Sequence, residues 1–289
     1  MAETSTQGSN EHSVERSAEL VVAAVYTREI GASLERVWEN VYDWAHLPWL
    51  HADAFSSIGW LDSGAWGWHA RVGLRRGAEA EIELVADTGA RRYVARTLEG
   101  VGAPTEIWTH LDPKAEDRTA IRVEFCVQPL PEKALRALGK SYLSLYTSLW
   151  SQDESMMQTR EGALREASVA RGDTADPDPI SLGPQASVRK LLPLAIEFAG
   201  EGFRLVEVEG ELLAHGLRCP HLLGPLDQCD LVDGRIVCPW HGYAFDVRTG
   251  RSADGRGLRL SLAPRVEVDP VTDEVVVRVG DQSARGSAR

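Results

Sequence analysis

Two short segments, RCPHLLGPLDQ at residues 218–228 and VCPWHGYAFDVRTG at residues 237–250, decide how the second half of the chain is read. Each sets a histidine two or three positions after a cysteine: Cys219 with His221, then Cys238 with His241, with sixteen residues between His221 and Cys238. Thiolate and imidazole together suit soft or borderline transition metals, so two such clusters point to a metal centre. Two Cys and two His would satisfy a tetrahedral zinc ion, the first alternative. Zinc ligand pairs are usually spaced by two or more residues, and the Cys-x-His pair is tight for one ion. The spacing suits instead a loop whose cysteine and histidine go to different metals of a binuclear cluster. Between the segments, VDGRI at 232–236 reads as a hairpin turn.

The pattern C-x-H-x16-C-x-x-H, with these flanks, resembles the Rieske [2Fe–2S] domain. The resemblance implies that Cys219 and Cys238 hold one iron and His221 and His241 the other. Two neutral imidazoles in place of two thiolates raise the potential above that of plant-type ferredoxins. High-potential members of the family carry two further cysteines joined as a disulfide; Gly224 and Trp240 stand at the matching positions here. Tyr243 and Phe245 stand where those members place hydroxyl donors, so the resemblance implies the low-potential ferredoxin and oxygenase type. Cys229 is not at a ligand position and reads as a packed small side chain or a free thiol.

The first half is patterned differently. Residues 1–19 are polar and expected to form a disordered tail. LVVAAVYTREI at 20–30 is rich in β-branched residues and predicts a strand. SLERVWENVY at 33–42 predicts a helix, with Ser33 as its cap and Leu34, Val37, Trp38 and Val41 on one face. Alternating stretches follow (GWHARVGLR, AEIELVA, RRYVARTLEG, PTEIWTHL, TAIRVEFCVQPL), separated by turn signals, so an antiparallel sheet is the simplest reading. From Glu132 to about Arg165, Leu135, Leu138, Tyr142, Leu145 and Leu149 recur at spacings of three and four and predict one long helix. A sheet curled around that helix would leave a cavity between them. This order resembles the START/Bet v1-like (SRPBCC) superfamily across residues 20–168, and ERVWENVYDWAHLPW at 35–49 is similar to its early helix and following loop. The Gly-, Pro- and Asp-rich stretch at 169–187 reads as an interdomain linker, followed by a second domain at 188–281 and a disordered tail at 282–289. The expected fold class is therefore α+β: an N-terminal helix-grip (START-like) domain, then an all-β Rieske domain.

A Rieske cluster moves one electron and needs something to reduce. The first domain offers Asn40-x2-Asp43-x2-His46-x4-His51. Two histidines five positions apart across a helix end can present imidazoles to one metal. A carboxylate from elsewhere would complete a 2-His-1-carboxylate set that leaves positions open for O2 at Fe(II). This pattern resembles the N-x2-D-x2-H-x4-H motif of Rieske non-heme iron oxygenases, whose catalytic domain is itself START-like. START-like domains without iron also carry an acid and a Pro-Trp in this loop, so Asp43, Pro48 and Trp49 say little and the histidines are the informative part. The family takes its third ligand from the long C-terminal helix. The inward stripe through Leu145 and Leu149 reaches Asp153 four residues on, and a charge on an apolar face is costly to bury unless it binds something. WSQDESMMQTRE at 150–161 is also similar to the segment carrying the third ligand in the demethylase-like branch; Glu154 is the adjacent alternative. By resemblance, Asp43 would bridge His221 or His241 of a neighbouring subunit to His46, and Asn40 would support the iron site without being a regular ligand.

Composition bounds the rest. At 289 residues the chain has room for one large domain or two ordinary ones. A net charge of −12 argues against nucleic acid or anionic lipid as a main partner. No apolar run approaches the roughly 20 residues that span a bilayer, and the opening residues lack the basic and apolar regions of a secretory signal, so a cytoplasmic protein is expected. Cys126, Cys219, Cys229 and Cys238 are too few and too scattered for a disulfide scaffold. Trp38, Trp44, Trp49, Trp60, Trp66 and Trp68 crowd into one stretch, which reads as an aromatic-lined pocket or as ordinary core and sheet packing. His69 and His110 fall on predicted strands and read as surface or hydrogen-bonded residues. No dinucleotide fingerprint or Walker loop is present, so a separate reductase or ferredoxin must supply electrons.

These readings converge on a Rieske-type oxygenase component whose domain order is the reverse of the family's. Electrons would pass from the cluster through Asp43 to Fe(II) held by His46, His51 and Asp153, and O2 would hydroxylate or demethylate a small hydrophobic or aromatic substrate. The resemblance also implies a homo-oligomer, a trimer in that family. The short stretch between His51 and Asp153 implies few insertions and a small or open pocket. The alternative is a Rieske electron-transfer module fused to a START-like domain that binds a hydrophobic ligand without catalytic iron; a START-like cyclase or hydrolase with an accessory cluster is a third reading.

Overall fold

The computed structural model of the chain describes residues 14–169 and 177–280. The expected tails at 1–13 and 282–289, and residues 170–176 of the expected linker, lie outside the described residues. The chain divides into two compact units at Gln158, within its longest helix.

The first unit is one seven-stranded antiparallel sheet and one long helix. Strand β1 (Val21–Ile30) is followed by helix α1 (Leu34–Tyr42), a single turn at Trp44–His46 and the short helix α2 (Leu47–Leu50). Strands β2 (Phe55–Gly64), β3 (Gly67–Leu74), β4 (Glu79–Asp87), β5 (Arg92–Gly100), β6 (Thr105–Ala115) and β7 (Arg118–Val127) follow as a meander, and α3 (Glu132–Val169) closes the domain. The strand order is β1-β7-β6-β5-β4-β3-β2, so the first strand pairs with the last and the helices interrupt the sheet only between β1 and β2. This is the expected helix grip. Ser33 caps α1, its side chain accepting from the Arg36 N–H at 3.2 Å.

Alternation along the strands sorts the two faces of the sheet. The inner face carries the main core, in which Ile30, Val37, Val41, Trp68, Ile121 and Trp150 pack together. The outer face carries a smaller cluster of Val85, Val94, Trp108 and Cys126, covered by Val14 and Leu20. Residues 14–19, expected as the end of the tail, thus lie on the sheet. Arg16 pairs with Glu124 at 2.7 Å and donates to the Cys126 sulfur at 2.7 Å, and Arg96 donates to the Glu15 carbonyl. Polar composition hid this, because the segment is held mainly by ion pairs and hydrogen bonds.

The second unit contains three small antiparallel sheets. Strand β8 (Ile180–Pro184) and helix α4 (Gln185–Lys190) lead into β9 (Leu194–Phe198), β10 (Glu201–Val208) and β11 (Glu211–Gly216). Then come β12 (Leu231–Val232), β13 (Arg235–Val237), β14 (Ala244–Asp246), β15 (Arg265–Val268) and β16 (Glu274–Arg278). The sheets are ordered β11-β10-β9, β12-β13-β14 and β15-β16-β8. Strand β8 falls inside the stretch expected as linker. It pairs with β16, and Ile180 and Leu182 pack on the core. Two apolar residues among Gly, Pro, Asp and Ser are too short a signal to register as a strand. Among the described residues, no helix is long and apolar enough to cross a membrane.

Gly139 shows how closely α3 sits in the sheet: a β-carbon there would meet the Ala23 carbonyl oxygen at 2.5 Å. Helix propensity favours alanine over glycine by about 1 kcal/mol, whereas overpacking costs about 1–3 kcal/mol. Gly139→Ala is expected to lower the urea midpoint of the first unit, against propensity; a raised midpoint would show that α3 shifts freely.

Candidate metal centres

The first centre is assembled where α1 ends. Asp43, at the C-cap of α1, leaves the helical region with φ −87° and ψ 80°, and the following turn and α2 bring His46 and His51 inward. Asp153 reaches them from α3. His51 Nε2 lies 3.0 Å and His46 Nε2 3.5 Å from the same Asp153 oxygen. One ligand atom from each of the three residues falls within 4.8 Å of the others. All three side chains are buried, Asp153 to 8% exposure.

The supports of this triad are specific. Asn40 Nδ2 donates to Asp153 Oδ1 at 3.1 Å, so it steadies the carboxylate. Asp43 Oδ2 lies 3.5 Å from His46 Nδ1. Gln152 Oε1 sits 2.7 Å from His51 Nδ1, a partner that sequence reasoning missed. Its signal is its place beside Asp153, one helical position away. A Gln152 oxygen accepting from Nδ1–H leaves Nε2 to face Asp153. Burial pulls the His51 pKa down, but the Asp153 carboxylate and then Gln152 outweigh it and hold the ring above the ordinary imidazole range. Two imidazoles and one carboxylate, buried and convergent, are the donor set that suits a divalent iron. Glu154 faces elsewhere: it pairs with Arg28 and accepts the Gly31 N–H at 2.7 Å.

The triad opens on a cavity of about 260 Å³ between the sheet and α3. Trp68, Ile82, Leu84, Tyr93, Tyr146 and Leu149 are among its walls. Burial pushes the phenols of Tyr93 and Tyr146 up, so both remain neutral hydrogen-bonding groups. The six crowded tryptophans separate. Trp68 lines the cavity and Trp38 and Trp44 pack on the core, while Trp49 and Trp60 are 48% and 55% exposed. The stretch is thus packing for the most part, with one wall residue. His69 pairs with Glu81 at 2.9 Å on neighbouring strands.

The second centre is built from two loops of the same construction. The Cys219 N–H bonds the Gly224 carbonyl and the Cys219 carbonyl accepts from the Leu223 N–H; Cys238 repeats both bonds with Tyr243 and Gly242. The fourth residue after each cysteine is left-handed, Leu223 at φ 61° and Gly242 at φ 68°. A leucine held there is strained and persists only because the loop fixes it. The His221 and His241 rings lie with centroids 4.5 Å apart. Cys219 and Cys238 are buried and share a hydrogen bond, which draws Cys219 below the ordinary thiol range and, with burial, pushes Cys238 up. Two thiols and two imidazoles gathered this way suit a binuclear iron–sulfur cluster with mixed ligation. Gly224 faces Trp240: a β-carbon on Gly224 would lie 2.8 Å from Cys238 Sγ and 3.1 Å from the indole. Cys229 is a free thiol whose sulfur lies 3.5 Å from the Pro225 carbonyl.

Two measurements probe these geometries. Because the folded-state pKa of His51 is raised, its contribution to stability is full below an unfolded value of about 6.5 and is lost as pH rises through the folded value. In metal-free Asp153→Asn protein burial is left to dominate, and the His51 ring, followed by NMR, is expected to titrate below the wild-type value; an unchanged titration would remove Asp153 as its partner. Gly224→Ala is expected to reduce cluster content severalfold, read from visible absorbance per chain, and full occupancy would show that Trp240 yields.

A profile describing the Rieske [2Fe–2S] domain matches residues 179–260. Apoptosis-inducing factor 3 from Homo sapiens is 38% identical over 79 residues, which cover 27% of this chain and 13% of that protein. The Mus musculus protein is 37% identical over the same shares. The match therefore spans a small part of these curated relatives. Among solved structures, a START superfamily protein from Mycobacterium smegmatis is 18% identical over 47% of this chain and 96% of its own, with a TM-score of 0.39. Norcoclaurine synthase from Thalictrum flavum is 18% identical over 52% of this chain and 96% of its own, with a TM-score of 0.38. Strand order, α3 and the two cysteine loops agree with the domain order read from sequence, and residues 179–260 are a Rieske [2Fe–2S] domain that follows a helix-grip domain on the same chain.

Proposed function

We propose that this chain is the oxygenase component of a Rieske non-heme iron system, hydroxylating or demethylating a small hydrophobic or aromatic substrate. The observation that carries the reading is the convergence of His46, His51 and Asp153, buried at one wall of an apolar cavity, on the same chain as a Rieske domain. In this reading Cys219, His221, Cys238 and His241 hold the [2Fe–2S] cluster, and His46, His51 and Asp153 hold one Fe(II). That iron would supply O2 activation, chemistry that protein side chains lack.

The chain's own residues supply position and exclusion. Asn40 keeps the Asp153 carboxylate turned toward the imidazoles, and Gln152 fixes the His51 ring with Nε2 inward. Asp43 holds the Nδ1 side of His46 and is the group we assign to relay an electron and proton from a Rieske histidine of a neighbouring subunit. Apolar walls strip water from the substrate, and a cavity of about 260 Å³ limits it to a small molecule. Electrons come from a separate reductase or ferredoxin, and a homo-oligomer in the cytoplasm is part of the same reading. Burial of Asp153 among three polar partners weighs against a ligand-binding domain without iron, which gives this carboxylate no task.

Iron and sulfide analysis of the purified full chain tests the reading. About three iron atoms and two sulfides per chain are expected, and His51→Ala or Asp153→Ala should lose about one iron while keeping the Rieske EPR signal. Cys219→Ser should lose the cluster instead. About two irons with two sulfides in wild type would overturn the oxygenase and leave the electron-transfer module.

A further inference from the structure

Tyr243 is buried, and its ring centroid lies 4.8 Å from that of His221 and 5.6 Å from that of His241. On this ring sits a cation: Arg256 Cζ is 4.2 Å from the centroid. Arg256 is in turn held by Asp254, which accepts its Nε–H at 2.6 Å and its backbone N–H at 3.3 Å. The turn that allows this has Gly255 and Gly257 on either side of Arg256, both left-handed at φ 74° and 72°. A guanidinium over an aromatic face is a favourable pair, and because the Arg256 side chain is half exposed its charge acts most fully at low salt.

We propose that Asp254 and Arg256 form a charge-balanced element that sets the reduction potential of the Rieske centre through Tyr243. The inference rests on the cluster assignment above and is independent of the mononuclear iron. Reduction adds one negative charge to the centre. The guanidinium, the member of the pair in contact with Tyr243, favours that charge and raises the potential, while the Asp254 carboxylate offsets part of this. Both are positioning residues, acting through Tyr243.

The two charges make opposite demands, and this separates tuning from mere loop support. In the full-length, cluster-loaded protein, EPR-monitored redox titration at fixed pH and low salt should give a lower midpoint for Arg256→Gln and a higher one for Asp254→Asn. Each single change should alter the reduced-to-oxidised ratio at a fixed potential by about two- to tenfold, tenfold being 59 mV for one electron. The double variant should return close to wild type, and Arg256→Lys should keep much of the wild-type value. Single variants that shift in the same direction, or not at all, overturn the proposal. A wild-type protein without a Rieske EPR signal would overturn the cluster assignment on which it rests.

Discussion

A carboxylate buried between two imidazoles ties the first domain together. Asp153, with Gln152 beside it, joins the middle of α3 to the α1–α2 corner through polar contacts, and its charge is tolerated there because both histidines and Asn40 surround it. Removing one partner would leave a charge or a donor stranded in an apolar wall. The sheet, the cavity and the corner are therefore arranged around a cluster whose parts stabilise one another only together.

Much of this could be read from the residues, for physical reasons that differ by element. The long α3 was legible because its apolar spacing is sustained, and Asp153 because helical phase carries a stripe forward four residues at a time. His46 and His51 were legible as a spacing, yet the turn that aims them depends on the backbone Asp43 adopts as it leaves α1. Gln152 was hidden because an amide one position from the inward stripe looks like a surface residue. Arg256 was hidden more deeply, since its contact with Tyr243 joins a ligand loop to a turn about a dozen residues later that has no periodicity. Ion-paired and short elements, residues 14–19 and β8, escaped because hydrophobic patterning cannot detect what charge or two side chains hold.

The two cysteine loops show economy of construction at a smaller scale. Each cysteine closes its loop with the same pair of backbone bonds, although one histidine follows after two residues and the other after three. Equal loop closure with unequal histidine spacing lets the imidazoles meet edge to face without forcing the backbones into register. The strained φ of Leu223 is the local consequence, where the second loop places glycine.

The indole of Trp240 against the bare Gly224 has an implication for how the protein matures. Where a covalent bridge spans two such loops, opening them is a thiol–disulfide reaction that depends on the surrounding redox poise. Here a nonpolar contact closes the gap, so the loops part and rejoin on the timescale of local unfolding. Holding the two loops together is then a matter of packing, answerable to temperature, while the free thiols of Cys219 and Cys238 remain the oxidisable groups between them.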